Sequence, residues 1–395
     1  MLKDRAQRNN KKIGQVTYYK GNYGSVLQCY ATQKLLGAHG FEVCLLDVCD
    51  PIVPRVFKAL MRRAKLVGKM IRYPRQAGEM KRLYQNASNS AKCMELMPEC
   101  VEGIESFIDR YIKKETFTSE RLKRRAKEND FAAFVSGSDQ IWSAAWPLPD
   151  KNFYLRFAPR CKRIAFAPSF GGTCLPEYNK EILRYISEYS LLSVREPSGK
   201  NIVKDATSED CAVINDPVLQ MDCTEWERLS DRSELVIDEP YICLFFIDRP
   251  SEATAKLIGY LKERYHIKMI NFGYCRHFDC ENIAGGPEDF LKLLKNAQLV
   301  LTDSFHGMSF SIILHSDFYV VKRNYQHKSD QSSRITELLA SCGLQDRFLT
   351  EPDIETIVSV DFSQADAFLK TVRENSSTYV HSMISLIKGG TQDDL

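Results

Sequence analysis

The segment Thr302–Ser311 reads TDSFHGMSFS and sets a histidine, His306, and a glycine, Gly307, just after the apolar run AQLVL. Asp303 or Ser304 can cap the helix predicted to follow, but capping explains neither His306 nor Gly307. A histidine in a first helical turn lies among free backbone N–H groups, at the positive end of the helix dipole. That setting disfavours a protonated imidazole, so the residue is an odd structural choice and a good anion-site residue. Gly307 would let a ligand approach the backbone. The alternative is a histidine satisfied within the core.

Other loops offer similar chemistry. GNYGS carries Asn22, Gly24 and Ser25; GSDQ carries Ser138 and Asp139; SFGG carries Ser169 and Gly171; SVRE carries Arg195. Each follows a strand-like apolar run and then turns polar or glycine-rich. Taken singly, each is ordinary turn and cap chemistry. Together they fall where ligands bind in parallel α/β sheets, beyond the carboxyl ends of the strands. Arg323 in VVKR and Arg334 in SSRI are weaker candidates for holding an anion.

The elements that must position these residues alternate. KIGQVTYYK predicts a strand, VLQCYATQKLLGAHG a helix and FEVCLLDV a strand, a β-α-β unit whose turn is not GxGxxG. Three more strand-like runs end in the loops above, and CAVINDPVLQ reads as a short strand, a proline stop and a linker. A second block of strands and helices begins at YICLFFI. The pattern predicts an α/β chain of two Rossmann-like, doubly wound domains. We place the first at 1–215, with a basic helical insertion at about 51–130, the second at 216–362, and a C-terminal helix within 363–395.

Length and composition agree: 395 residues exceed one ordinary core, and 44% apolar with 27% charged residues is typical of globular chains. Neither a membrane-spanning apolar run nor a signal-peptide core is visible, which predicts a cytoplasmic address. Thirteen scattered cysteines suit reduced thiols. Cys275, His277 and Cys280 supply three soft ligands where structural zinc usually takes four, so no metal is expected. Residues 51–92 hold eleven Lys/Arg against one acid, Glu79, so a net charge of +3 for the chain conceals a segment of +10. That is either a solvated helical face or an attraction to phosphate, on an anionic membrane or a lipid-linked substrate. No nucleic-acid motif accompanies it.

In order and spacing, VTYYKGNYGSVLQCYATQKLL, FVSGSDQIW, AFAPSFG, LLSVRE, NDPVL, GPEDFLKLLKNAQLVLTDSFHGMSFSIIL and SSRITELLASCGLQDR resemble the polysaccharide pyruvyl transferase family. The resemblance covers about 12–50 and 131–347. It implies a GT-B-like pair of domains facing a cleft, with the C-terminal helix returning to the first domain. It also implies transfer of the pyruvyl group of phosphoenolpyruvate to two hydroxyls of a sugar, as a ketal, with release of phosphate and no cofactor. The acceptor would be a sugar or a lipid-linked oligosaccharide. His306 is then the first choice for the acid that protonates C3, and Asp139 the second. His306 has a competing role as a phosphate ligand. Arg195 matches the SVRE position and would hold an anion. Asp139 or Asn22 would face the acceptor hydroxyl, and the helix N-termini at Gly24 and Gly307 would add donors. The rivals are a nucleotide-sugar glycosyltransferase of the same fold and a non-catalytic glycan- or lipid-binding member.

Overall fold

The computed structural model describes residues 11–50, 55–93, 96–128, 130–207, 211–273, 278–323, 332–350 and 357–389. Its first half contributes β1 (Lys12–Val16), β2 (Glu42–Val48), β3 (Lys114–Phe117), β4 (Ala133–Ser136), β5 (Arg163–Ala165), β6 (Ser193–Val194) and β7 (Ala212–Val213). The second half contributes β8 (Tyr241–Phe245), β9 (Lys268–Phe272), β10 (Glu281–Ile283), β11 (Leu299–Thr302), β12 (Phe318–Val321) and β13 (Phe348–Leu349). Two parallel sheets result, ordered β3-β2-β1-β4-β5 and β10-β9-β8-β11-β12-β13, with β6-β7 as a small parallel pair. The central strands β4, β8 and β11 are buried throughout, as near-continuous apolar runs in parallel sheets should be.

Two expectations need adjustment. The stretch at about 51–130 is not wholly helical: it holds the helices Arg55–Arg72, Ala77–Cys93, Pro98–Tyr111 and Ser119–Lys127, but also β3. KETF carries too little apolar pattern to announce itself, yet it pairs with β2 and forms the edge of the first sheet. NDPVL is more than a linker, since Asp216 caps the short helix Pro217–Gln220 through Val218 N–H.

The two sheets share an apolar core. Tyr23, the first residue of the helix Tyr23–Ala38, packs among Phe245, Phe272 and Phe290, with ring centroids 5.2–6.1 Å away. Its hydroxyl donates to Gly285 O at 2.7 Å. Tyr30, Phe107 and Trp226 continue the same cluster. The long helix Ser363–Gly389 spans both sheets: Ala365, Leu369 and Val372 join that core, while Tyr379, Val380 and Met383 cover the first sheet near Ile13, Val135 and Ile164.

Candidate active site

The loop GNYGS does four jobs in four residues. Asn22 accepts from Gly24 N at 2.8 Å and from Ser25 N at 3.4 Å, capping the first helix. Tyr23 inserts into the second sheet's core. Gly24 is a clearance: a Cβ there would lie 2.0 Å from His306 Nδ1. Ser25 donates through its hydroxyl to Asp139 Oδ2 at 2.6 Å. His306, the second residue of the helix Phe305–Ile313, therefore rests directly on the first helix.

Behind it lies Asp216, fully buried. Its Oδ2 stands 2.6 Å from Arg195 Nη1, 3.5 Å from His306 Nε2 and 3.5 Å from Ser138 Oγ. Its Oδ1 accepts from Val218 N at 3.1 Å. Burial alone would raise this carboxyl, but Arg195, then His306, overcome it and hold Asp216 well below the usual carboxylate range. Arg195 is only 2% exposed. Burial works against its charge, yet Asp216 and Glu196 outweigh that effect and leave the guanidinium above its ordinary value. Its Nη2 makes no hydrogen bond to the described residues.

Arg195 and Arg334 both lie over the Phe305 ring, at 4.4 Å and 5.4 Å from its centroid. Burial, and then repulsion from Arg195, push Arg334 down to about 10. A buried guanidinium depressed in this way would be relieved by an added anion. A cavity of about 180 Å³ adjoins them, lined by Arg195, Arg334, Phe305, Asp216, Glu337 and Asn375 among others.

The remaining candidates are placed as follows. Asp139 has a left-handed backbone (φ 64°) after the cis Gly137–Ser138 peptide, and its Oδ1 accepts from Gln140 N. Ser138 donates to Ala167 O, and Ser169 donates to Glu196 and accepts from Gly171 N. At Gly171, also left-handed, a Cβ would strike Gln140. Ser304 caps its helix through Gly307 N–H.

Gly307, expected to admit a ligand, serves packing instead, because a Cβ there would meet Thr302 Oγ1 at 2.6 Å and Phe245 at 3.0 Å. Asp303 is likewise spent internally, on the N–H groups of Ile247 and Asp248 and on Arg323 at 3.3 Å. Burial raises its carboxyl despite Arg323. Arg323 also donates to Asp303 O, so it braces this loop.

His306, Asp139, Arg195, Ser25, Ser138 and Arg334 thus converge, whereas Asp303, Gly307 and Arg323 support the loop behind them. Sequence reasoning passed over Asp216, Glu196 and Phe305. Asp-Pro opening a helix was a readable cap signal, but nothing local said that this Asp would be the buried counter-ion of two other segments. Cys275 and His277 lie outside the described residues. Among those described, no group of three or more His, Cys, Asp or Glu could hold a metal ion.

The architecture is α/β, two Rossmann-like domains facing a cleft in a GT-B-like arrangement, with charged side chains from both meeting between them. Residues 22–324 match the polysaccharide pyruvyl transferase family, about three quarters of the chain, and the protein belongs to that family. No curated protein matches it. Among solved structures it is similar to the UDP-GlcNAc 2-epimerase of Neisseria meningitidis bound to UDP-GlcNAc. The TM-score is 0.50 at 8% identity, over 95% of this chain and 100% of that one. The Methanocaldococcus jannaschii UDP-GlcNAc 2-epimerase in complex with UDP-GlcNAc and UDP gives 0.49 at 11%, over 95% and 99%. Arabidopsis thaliana UGT89C1 complexed with UDP-L-rhamnose gives 0.49 at 8%, over 95% and 98%. Such identities speak to fold alone.

Proposed function

We propose that this transferase moves the pyruvyl group of phosphoenolpyruvate onto a sugar of a surface polysaccharide or its precursor, as a cyclic ketal. The observation that carries the reading is the pair of buried guanidiniums, Arg195 and Arg334, beside His306 and a small cavity. Arginine suits both the phosphate and the carboxylate of such a donor, because its planar fork binds either through two parallel hydrogen bonds. His306 gives a proton to C3 of the enol, and C2 becomes electrophilic. One sugar hydroxyl adds to C2 and loses its proton to a base. The phosphate leaves with the C2–O electron pair, and the second hydroxyl closes the ketal while giving up its own proton. Asp139, already a hydrogen-bond acceptor toward Ser25 and Gln140, suits the role of base. No cofactor enters this scheme.

The same reading has the enzyme working in the cytoplasm, touching the inner face of the membrane through the basic segment 51–92, where a lipid-linked acceptor would be at hand. Phosphorus NMR of the protein with phosphoenolpyruvate and a panel of lipid- or nucleotide-linked sugars tests the chemistry. Acceptor-dependent appearance of inorganic phosphate is expected. Release of a nucleoside diphosphate instead, or sugar binding without loss of phosphoenolpyruvate, would overturn it.

A further inference from the structure

The helix Arg55–Arg72 is built the wrong way round for a helix that serves only the core. At ~3.6 residues per turn, Phe57, Leu60, Met61, Ala64, Val67 and Ile71 share one arc of about 120°. That arc faces outward, with exposures of 52% for Phe57, 60% for Leu60, 47% for Met61, 52% for Val67 and 76% for Ile71. The inward side is narrower: Leu66 and Met70 pack near Met80 and Tyr178. Lys69 anchors it further, donating to Pro147 O at 2.9 Å and Asn179 Oδ1 at 3.1 Å, and pairing with Glu181 at 3.0 Å.

Seven Lys/Arg and no acid occupy these eighteen residues. Lys65 and Arg72 border the apolar arc on one side and Arg63 borders it on the other. The arc runs about 21 Å, from Phe57 to Ile71 at 1.5 Å per residue. An apolar stripe between basic borders fits the boundary between headgroups and acyl chains, where the stripe sinks and the cations meet lipid phosphates. A second copy of the chain would bring its own seven cations against these. A nucleic acid would meet the cations but leave the stripe unused.

We infer that Arg55–Arg72 is an in-plane membrane helix that seats the protein on an anionic bilayer through Phe57, Leu60, Met61, Val67 and Ile71. Lys69 fixes it to the segments that follow β4 and β5, so the bilayer lies toward the strand ends that carry Asp139 and Ser169. A sugar on a lipid anchor would then reach the cleft from that side. This takes up the membrane contact proposed above and is independent of the phosphoenolpyruvate chemistry.

Co-sedimentation of the full chain with vesicles of equimolar phosphatidylglycerol and phosphatidylcholine, without substrate, tests it. Wild type is expected to bind these vesicles, to bind pure phosphatidylcholine far less, and to be released by salt. The exposed double variant Leu60→Glu/Ile71→Glu is expected to keep its melting temperature and to lose at least ~10-fold in vesicle affinity. Equal binding by this variant, equal binding to neutral vesicles, or no binding by wild type would overturn the inference. So would a wild-type dimer that the variant dissociates. Because no substrate is present, failure here leaves the phosphate-release test untouched, and the reverse also holds.

Discussion

Replacing Gly24 by alanine tests whether the site depends on the contact between the two domains. The added Cβ would sit 2.0 Å from His306 Nδ1, where ordinary contact begins at 3.4 Å, so the ring must retreat by about 1.4 Å. Overpacking of this kind costs ~1–3 kcal/mol. Gly24 is the second residue of a helix, where alanine is favoured over glycine by at most ~1 kcal/mol. The net destabilisation is then ~0–3 kcal/mol, and the fold should persist. Catalysis is less forgiving, since a misplacement of ~1 Å can cost ~10²-fold in turnover. The assay is acceptor-dependent phosphate release, with a thermal melt and the imidazole NMR signals of His306 recorded alongside. Gly37→Ala is the control: it lies in the same helix with nothing within 4 Å, so it should match wild-type turnover and gain up to ~1 kcal/mol. A wild-type rate in Gly24→Ala, with the His306 signals unmoved, would refute the argument that this clearance places the imidazole.

Three further predictions follow from the same geometry. His306→Ala and Arg195→Ala should each lower turnover at least ~10²-fold in folded protein, measured by phosphate release; wild-type rates would remove that residue from the site. Asp216→Asn strands the Arg195 guanidinium without its closest counter-charge and should cost about 3–5 kcal/mol in denaturant unfolding. The pH sign is fixed: Asp216 lies below its ordinary value of 3.8 when folded, so its contribution is complete above that value and fades as pH falls below it. Wild type should therefore lose stability in acid more steeply than Asp216→Asn, and parallel profiles would contradict the pairing. Gly307→Ala should destabilise by ~1–3 kcal/mol through Thr302 and Phe245, and a melt at the wild-type temperature would contradict that packing.

Much of this was legible in the sequence because alternating apolar runs and glycine-rich turns are local signals. The helices Glu252–Tyr265 and Pro287–Asn296 could be read from periodicity and caps. The strands β3, β10 and β13, of two to four residues, could not, because pairing partners far along the chain define them. The same division runs through the site. His306 stood out because nothing structural explained a histidine at a helix start. Asp303 reads as a possible helix cap and Gly307 as room for a ligand, but the structure spends them on Ile247, Asp248, Thr302 and Phe245. Asp216 sits in a run that reads as a proline stop and linker, and its burial between Arg195 and His306 is decided by segments about twenty and ninety residues away.

The helix Ser363–Gly389 sets a schedule as well as a contact. Ile13, Val43, Ala133 and Phe166 belong to early-synthesised strands and turns, yet the residues that cover them, Tyr379, Val380 and Met383, are made more than two hundred positions later. A chain emerging from the ribosome carries that greasy patch bare until the helix Ser363–Gly389 docks. The first sheet therefore gains its full apolar cover only once the chain has grown past Met383.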